Sequence, residues 1–115
     1  VLRRIRGAAG QRACLVTSVL DAAEPVNGRL ATRPTIPVLI PIQRAEALAA
    51  GCGYWDAFTW MGGRGAALRW QRFGWMEPDL THPTTAGGAR LADALLDALF
   101  ATRRTLTAPP PAPAP

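Results

Sequence analysis

Apolar and polar positions follow two rhythms along this chain. From Ala13 to Asp21 the sequence reads ACLVTSVLD, a continuous apolar and partly β-branched run closing on an acid. That is the pattern of a strand covered on both faces, as in a parallel sheet, rather than of a one-faced alternating strand. From Thr35 the apolar residues Val38, Ile42, Ala45, Leu48 and Ala49 fall at helical spacing. Thr35 is the cap candidate, Pro37 lies in the first turn, Pro41 is expected to limit or distort that turn, and Gly51 to end the helix. A second short apolar segment, GCGYWDAF, follows and again closes on an acid, Asp56. Strand, helix and strand in this order predict a parallel pair joined by a right-handed crossover.

The connecting residues Ala22 to Thr35 carry Pro25, Asn27-Gly28 and Pro34, and are expected to form a long loop. Asn27-Gly28 is also a hairpin dipeptide, but its flanks do not alternate, so the loop is preferred. At the start, VLRRIRGAAGQR has the pattern of the last turns of an amphipathic helix ending at Gly7 or Gly10, and the chain reads as a piece of a longer domain. Thr59 to Met76 joins a glycine-rich loop to a short helix-like stretch with Leu68, Trp70 and Phe73. The last helix is the clearest. Thr84 or Thr85 caps it, and Leu91, Ala92, Leu95, Leu96, Leu99 and Phe100 form a broad apolar face opposite Arg90, Asp93 and Asp97. Arg103 and Arg104 suit its carbonyl end. A stripe that wide calls for a sheet beneath it. Beyond Thr107, APPPAPAP sustains neither helix nor sheet, so residues 1–107 are expected to belong to one folded unit and 108–115 to a disordered, extended Pro/Ala tail.

A chain of 115 residues has room for one small domain. Its net charge of +5 comes from arginine without lysine. Arg3, Arg4, Arg6 and Arg12 cluster while the rest are scattered, so the contiguous stripe that tracks a phosphate backbone is missing and no nucleic-acid partner is expected. Cys14 and Cys52 lie far apart in apolar surroundings and read as two small buried thiols. No Cys/His cluster is present to hold a metal, and no apolar run reaches the roughly 18 residues of a membrane span. No signal peptide opens the chain. Gly62-Gly63-Arg64-Gly65 lacks the Lys-Ser/Thr of a phosphate loop. Trp60, Trp70 and Trp75 group near the Asp/His segment described next, where they either line an acyl or sugar pocket or cover a sheet edge.

The chemistry lies in DLTH, Asp79 to His82, which holds the chain's one histidine. A serine hydroxyl attacks esters poorly unless an imidazole takes its proton. The imidazole works best when a carboxylate fixes its tautomer and stabilises the imidazolium. Asp and His three apart on a turn meet that need, with the acid on Nδ1 and Nε2 left for the hydroxyl. Pro78, Pro83 and the helix after Thr84 stiffen the loop. The competing reading is a surface histidine beside a helix start, paired incidentally with an acid.

The order of segments resembles the C-terminal half of an SGNH (GDSL-type) esterase, over nearly everything from Leu2 to Phe100. In that family the last block is Asp-x-x-His, followed by Thr/Ser, a glycine and a C-terminal helix; Asp79, His82, Thr84, Gly87 and Gly88 match it. Tyr54-Trp55-Asp56, Met61-Gly62-Gly63 and Trp70 are similar to a bacterial subgroup that includes peptidoglycan O-acetylesterase-like proteins. CLVTSVLD stands where these have a strand ending in Gly-Pro-Pro-Asp. Asp21 is in the matching place, and Thr-Ser-Val-Leu departs from the pattern. The resemblance implies an α/β fold, the C-terminal part of a flavodoxin-like three-layer α/β/α sandwich with parallel strands. It also implies a serine ester hydrolase that removes O-acyl, chiefly O-acetyl, groups from a carbohydrate or cell-wall polymer, without cofactor, in the periplasm or secreted. His82 would be the general base and Asp79 its orienting partner. The Gly-Asp-Ser nucleophile block and the Gly and Asn of the oxyanion hole belong to earlier blocks, expected upstream of Val1. Ser18, in a buried strand, and Asn27, in a loop, do not fill those roles, so the piece alone is expected to be inactive. An O-acyltransferase of the same family and a non-catalytic scaffold with the same fold are the alternatives.

Overall fold

A computed structural model describes residues 1–10 and 13–107. The expected tail at 108–115, and Arg12 of the basic cluster, lie outside the described residues. In chain order the elements are α1 (Leu2–Ala9), β1 (Leu15–Thr17), β2 (Ala23–Val26), β3 (Arg29–Thr32), α2 (Thr35–Ala49), β4 (Gly53–Trp55), α3 (Ala57–Trp60), α4 (Ala66–Arg72) and α5 (Thr85–Thr107). The fold is mixed α/β, with a small parallel sheet and helices.

β1 and β4 pair in parallel, Leu15 opposite Gly53 and Thr17 opposite Trp55, with α2 as the crossover between them. Both strands are shorter than the apolar runs that announced them, because after the Ser18 N–H bond to the Trp55 carbonyl (2.9 Å) the chain leaves the sheet. The expectation of a strand buried on both faces fails at Leu15, which is 42% exposed: within the described residues nothing covers that side of a two-stranded sheet.

Two further expectations are corrected. Cys14 and Cys52 form a disulfide, Cα to Cα 4.6 Å, rather than two free thiols. Each cysteine immediately precedes a strand, and the parallel register therefore sets them side by side, with Gly53 N–H bonded to the Cys14 carbonyl at 2.8 Å. Asn27-Gly28 closes a hairpin, β2 against β3, instead of lying in a loop. Both turn residues have positive φ (51° and 77°), the conformation that Asn-Gly accepts at low cost, and this outweighs the weak alternation of the flanks. Pro25 is tolerated in β2 because a two-stranded ribbon leaves one edge that needs no donor.

Helix α2 begins at Thr35 itself, so the N-cap is Pro34, one residue before the expected cap, and Pro41 sits inside the helix without ending it. The core gathers Ala23, Met61, Ala66, Ala67, Trp70, Met76 and Leu80, with Trp75 and Leu91 packed against it. Trp70 satisfies its indole N–H on the Met61 carbonyl at 3.0 Å. Other apolar faces stay open: Val38 and Ile42 on α2, and Leu96, Leu99 and Phe100 on α5, are 45–62% exposed. Among the described residues no sheet covers the second half of α5, whose Leu96, Leu99 and Phe100 stay exposed.

The start of α5 is pinned. Thr84 is its cap: its Oγ1 accepts from the Gly87 N–H (3.2 Å) and donates to the Gly74 carbonyl (2.8 Å), while its own N–H reaches the Trp75 carbonyl (3.1 Å). The helix approaches that carbonyl so closely that a Cβ on Gly87 would lie 1.9 Å from the Trp75 oxygen, whereas one on Gly88 would meet nothing within 4 Å. Gly87→Ala is therefore expected to cost about 3 kcal/mol by forcing backbone apart. Gly88→Ala, in a helix interior, is expected to stabilise by about 0.5 to 1 kcal/mol. Urea melts of the two variants check this, and equal midpoints would contradict the packing.

Candidate active site

The loop before α5 is built by its own acid. Asp79 Oδ1 accepts the backbone N–H groups of Thr81 (2.9 Å) and His82 (3.0 Å), an Asx turn that bends the chain back on itself. The bend puts Leu80 at φ 55°, an uncommon conformation for a branched side chain. Leu80 is held there because its side chain is buried in the core and its carbonyl accepts the Ala23 N–H at 3.0 Å. Glu77 N–H bonds to the His82 carbonyl (2.8 Å), and a bridge between Met76 and Pro83 closes the loop's neck.

With Oδ1 spent on the backbone, Asp79 Oδ2 lies 2.7 Å from His82 Nδ1. The two predicted site residues are thus brought together. One carboxylate shapes the turn and grips the ring, leaving Nε2 as the nitrogen able to take a proton. The His82 side chain, followed by the His82 and Thr81 amides, holds the Asp79 carboxyl down at about 2. Because the folded value lies below the ordinary 3.8, this acid favours the folded loop fully above about pH 4, and the contribution is lost as pH falls through 2. Asp79 is therefore ionised wherever the histidine works. In a carbon-detected NMR titration its carboxyl resonance is expected to turn over near pH 2 in the native chain and to move up toward 3.8 in His82→Ala. A midpoint unmoved by that substitution would remove the side-chain bond from the account.

Thr81 and His82 form one wall of a cavity of about 440 Å³. The facing walls are Ser18, Val19 and Leu20, directly after the carboxyl end of β1, and Arg33, Ile36 and Leu39 at the start of α2. The histidine thus stands at the carboxyl ends of the strands, where open α/β sheets place their ligands. Arg33 was one more scattered arginine in the sequence. Only the fold of the hairpin shows that it belongs here.

The tryptophans take no part in this cavity's walls. Trp55, Trp60, Trp70 and Trp75 form a chain of ring contacts with centroids 5.7 to 5.9 Å apart, and Trp70 is buried. Trp60 instead borders a separate hollow of about 280 Å³ with Arg90, Asp93 and Asp97 of α5. Arg90 stacks on Trp75, its guanidinium carbon 3.8 Å from the ring centroid. Ser18 is 5% exposed, and its Oγ accepts the Phe58 N–H at 3.0 Å and lies within donating distance of the Val19 carbonyl. Asn27 is committed to the hairpin turn. Asp56 caps α3 through Thr59. Asp21 is fully buried, with Oδ2 on the Ala67 N–H (2.9 Å) at the start of α4. Among the described residues no group of His, Cys, Asp and Glu is disposed to hold a metal ion, and no helix is long and apolar enough to cross a membrane.

A solved structure of a peptidoglycan O-acetylesterase is similar to this chain, with a TM-score of 0.80 and 22% sequence identity. The alignment covers 90% of this chain and 30% of that one, so the chain matches part of an esterase fold and spans about a third of that protein's length. No protein-family model and no curated protein matches the sequence.

Proposed function

We propose that this chain is the C-terminal part of a three-layer, SGNH-type serine ester hydrolase that removes O-acyl groups, chiefly acetyl, from a carbohydrate or cell-wall polymer. The observation that carries the reading is the 2.7 Å contact between Asp79 Oδ2 and His82 Nδ1 on a loop tied to the core. In this mechanism His82 Nε2 takes the proton of a serine hydroxyl as that oxygen attacks the ester carbonyl. The imidazolium formed is stabilised by Asp79, and it returns the proton to the departing sugar hydroxyl. Water then repeats the sequence on the acyl-enzyme and releases the carboxylic acid. The serine and the oxyanion-hole donors are supplied by sequence preceding Val1. The likeness of fold to an esterase that acts on O-acetyl groups supports the substrate class, and a disulfide suits a periplasmic or secreted protein, where thiols oxidise.

The experiment compares this chain with the product of its longer coding sequence. The chain alone is expected to give no turnover of p-nitrophenyl acetate and no adduct with a fluorophosphonate. The longer product is expected to release acetate from O-acetylated polymer and to be labelled on a serine outside this chain. A longer product that is inert and unlabelled would leave a scaffold with the same fold, and turnover by the chain alone would move the nucleophile into it.

A further inference from the structure

Asp21, between β1 and β2, is 0% exposed, and burying a carboxylate is costly unless its oxygens are paired. Only one of them is. Oδ2 accepts the Ala67 N–H (2.9 Å) in the first turn of α4, while Oδ1 has no hydrogen-bond partner among the described residues. An apolar side chain of the same branched shape would avoid that cost, so stability alone does not account for an acid here. What the bond does is fix a position. Helix α4 contributes Ala66, Ala67 and Trp70 to the core, and Asp21 ties the chain leaving β1 to that helix.

The tie runs on into the loop before α5. Two residues after Asp21, Ala23 donates its N–H to the Leu80 carbonyl at 3.0 Å, and Leu80 stands between Asp79 and His82 at φ 55°. Across the ribbon, Thr32 is the register partner of Ala23, and its buried Oγ1 accepts the Gly65 N–H at 2.7 Å, again at the start of α4. Asp21 and Thr32 therefore clamp the base of the hairpin to α4, and Ala23 passes that placement to Leu80. The other residues of the segment, Ser18, Val19, Leu20 and Ala22, line the cavity that Thr81 and His82 border.

We infer that Asp21 is a positioning residue for the Asp79–His82 pair: its buried carboxylate, acting through Ala23 and Leu80, sets where the two side chains stand relative to the carboxyl ends of the strands. For catalysis the inference rests on the esterase reading; the placement itself is read without turnover. The chain is compared by NMR with Asp21→Ala and with Asp21→Asn, which keeps an oxygen for the Ala67 N–H. The signals followed are the Asp79 carboxyl titration and the Thr81 and His82 amides.

Asp21→Ala is expected to shift both amides and to move the Asp79 midpoint from about 2 toward 3.8, and Asp21→Asn to return all three to their native values. A control weakened elsewhere, Cys14→Ser/Cys52→Ser, is expected to keep Asp79 near 2, which separates placement from loss of stability. In the proposed longer hydrolase Asp21→Ala is expected to lower kcat about tenfold or more with KM little changed, and Asp21→Asn to restore it. If Asp21→Ala does not fold, hydrogen exchange of the unaltered chain is the test: the Ala67 and Ala23 amides are expected to open in one event, with equal protection and equal denaturant dependence. A less stable Asp21→Ala with Asp79 still near 2, no rescue by asparagine, a control that moves Asp79 as far as Asp21→Ala does, or an Ala23 amide that opens while Ala67 stays protected would overturn the inference. A longer protein without turnover, in which Asp79 still responds to Asp21 as expected, would sink the esterase reading and leave the placement standing.

Discussion

In the proposed longer ester hydrolase, His82→Ala is expected to lower kcat by about 10⁴-fold or more with KM little changed, and Asp79→Asn by about 10² to 10⁴-fold. The two losses have different origins. Alanine removes the proposed base. Asparagine keeps the turn, because its amide oxygen can still accept from the Thr81 and His82 N–H groups as Oδ1 does now. The atom facing Nδ1 at 2.7 Å becomes a donor, however, and forces the ring into the tautomer with its proton on Nε2. A base with its lone pair turned inward cannot serve the serine. The smaller range for Asp79 follows from exposure: its side chain is 52% and that of His82 74% accessible in this chain, so water can share the work of stabilising the imidazolium. Asp79→Ala removes the turn as well and is expected to fall below Asp79→Asn. Steady-state kinetics of the three variants decide it, and a His82→Ala enzyme with native kcat would end the relay account.

The Asp79–His82 contact was legible because every bond that builds it is local. Asp-x-x-His with prolines outside it is a turn whose bonds span two or three residues, so no tertiary information was needed to expect the acid on Nδ1. The parallel pair was legible for the same reason at a larger scale, since an apolar run, a helical stripe and a second apolar run leave one arrangement. The disulfide was within reach and was missed. Cys14 and Cys52 each stand one residue before a strand of that expected pair, and a parallel register places equivalent positions together. Judging the cysteines by their apolar neighbours discarded that geometric signal.

The hairpin was missed by weighing alternation above turn chemistry. Alternation needs a buried face, and β3 has Arg29 and Leu30 exposed, so its pattern was bound to be faint. The consequence reached the site, because the hairpin is what carries Arg33 to the cavity. Arg33 and Ser18 are 15 residues apart in sequence and share a wall only after the ribbon folds back. The open faces of α2 and α5 also depart from expectation. Their stripes were expected to face a core, and among the described residues Val38, Ile42, Leu96, Leu99 and Phe100 are exposed instead.

Breaking the Cys14–Cys52 bond is expected to cost about 4 kcal/mol, the loop-closure entropy returned to the unfolded chain when a cross-link spanning 38 residues is removed. Against a total of roughly 5 to 15 kcal/mol for a domain, that is a large share, and this core is small. The bond closes a loop containing the hairpin and all of α2, so its loss frees the crossover that holds β4 beside β1. It joins the amino ends of those strands, whereas Ser18, Val19 and His82 gather at the carboxyl end. Stability and chemistry should therefore separate. The Cys14→Ser/Cys52→Ser variant is expected to unfold at a markedly lower denaturant midpoint. Reductant should bring the native chain to the same midpoint and leave the variant unchanged. Below that midpoint, the Asp79 carboxyl should still titrate near 2, because the bonds that depress it lie at the other end of the strands. Coincident midpoints with and without reductant would mean that the cross-link constrains little in the unfolded chain, and an Asp79 titration moved toward 3.8 would mean that the relay loop depends on the staple after all.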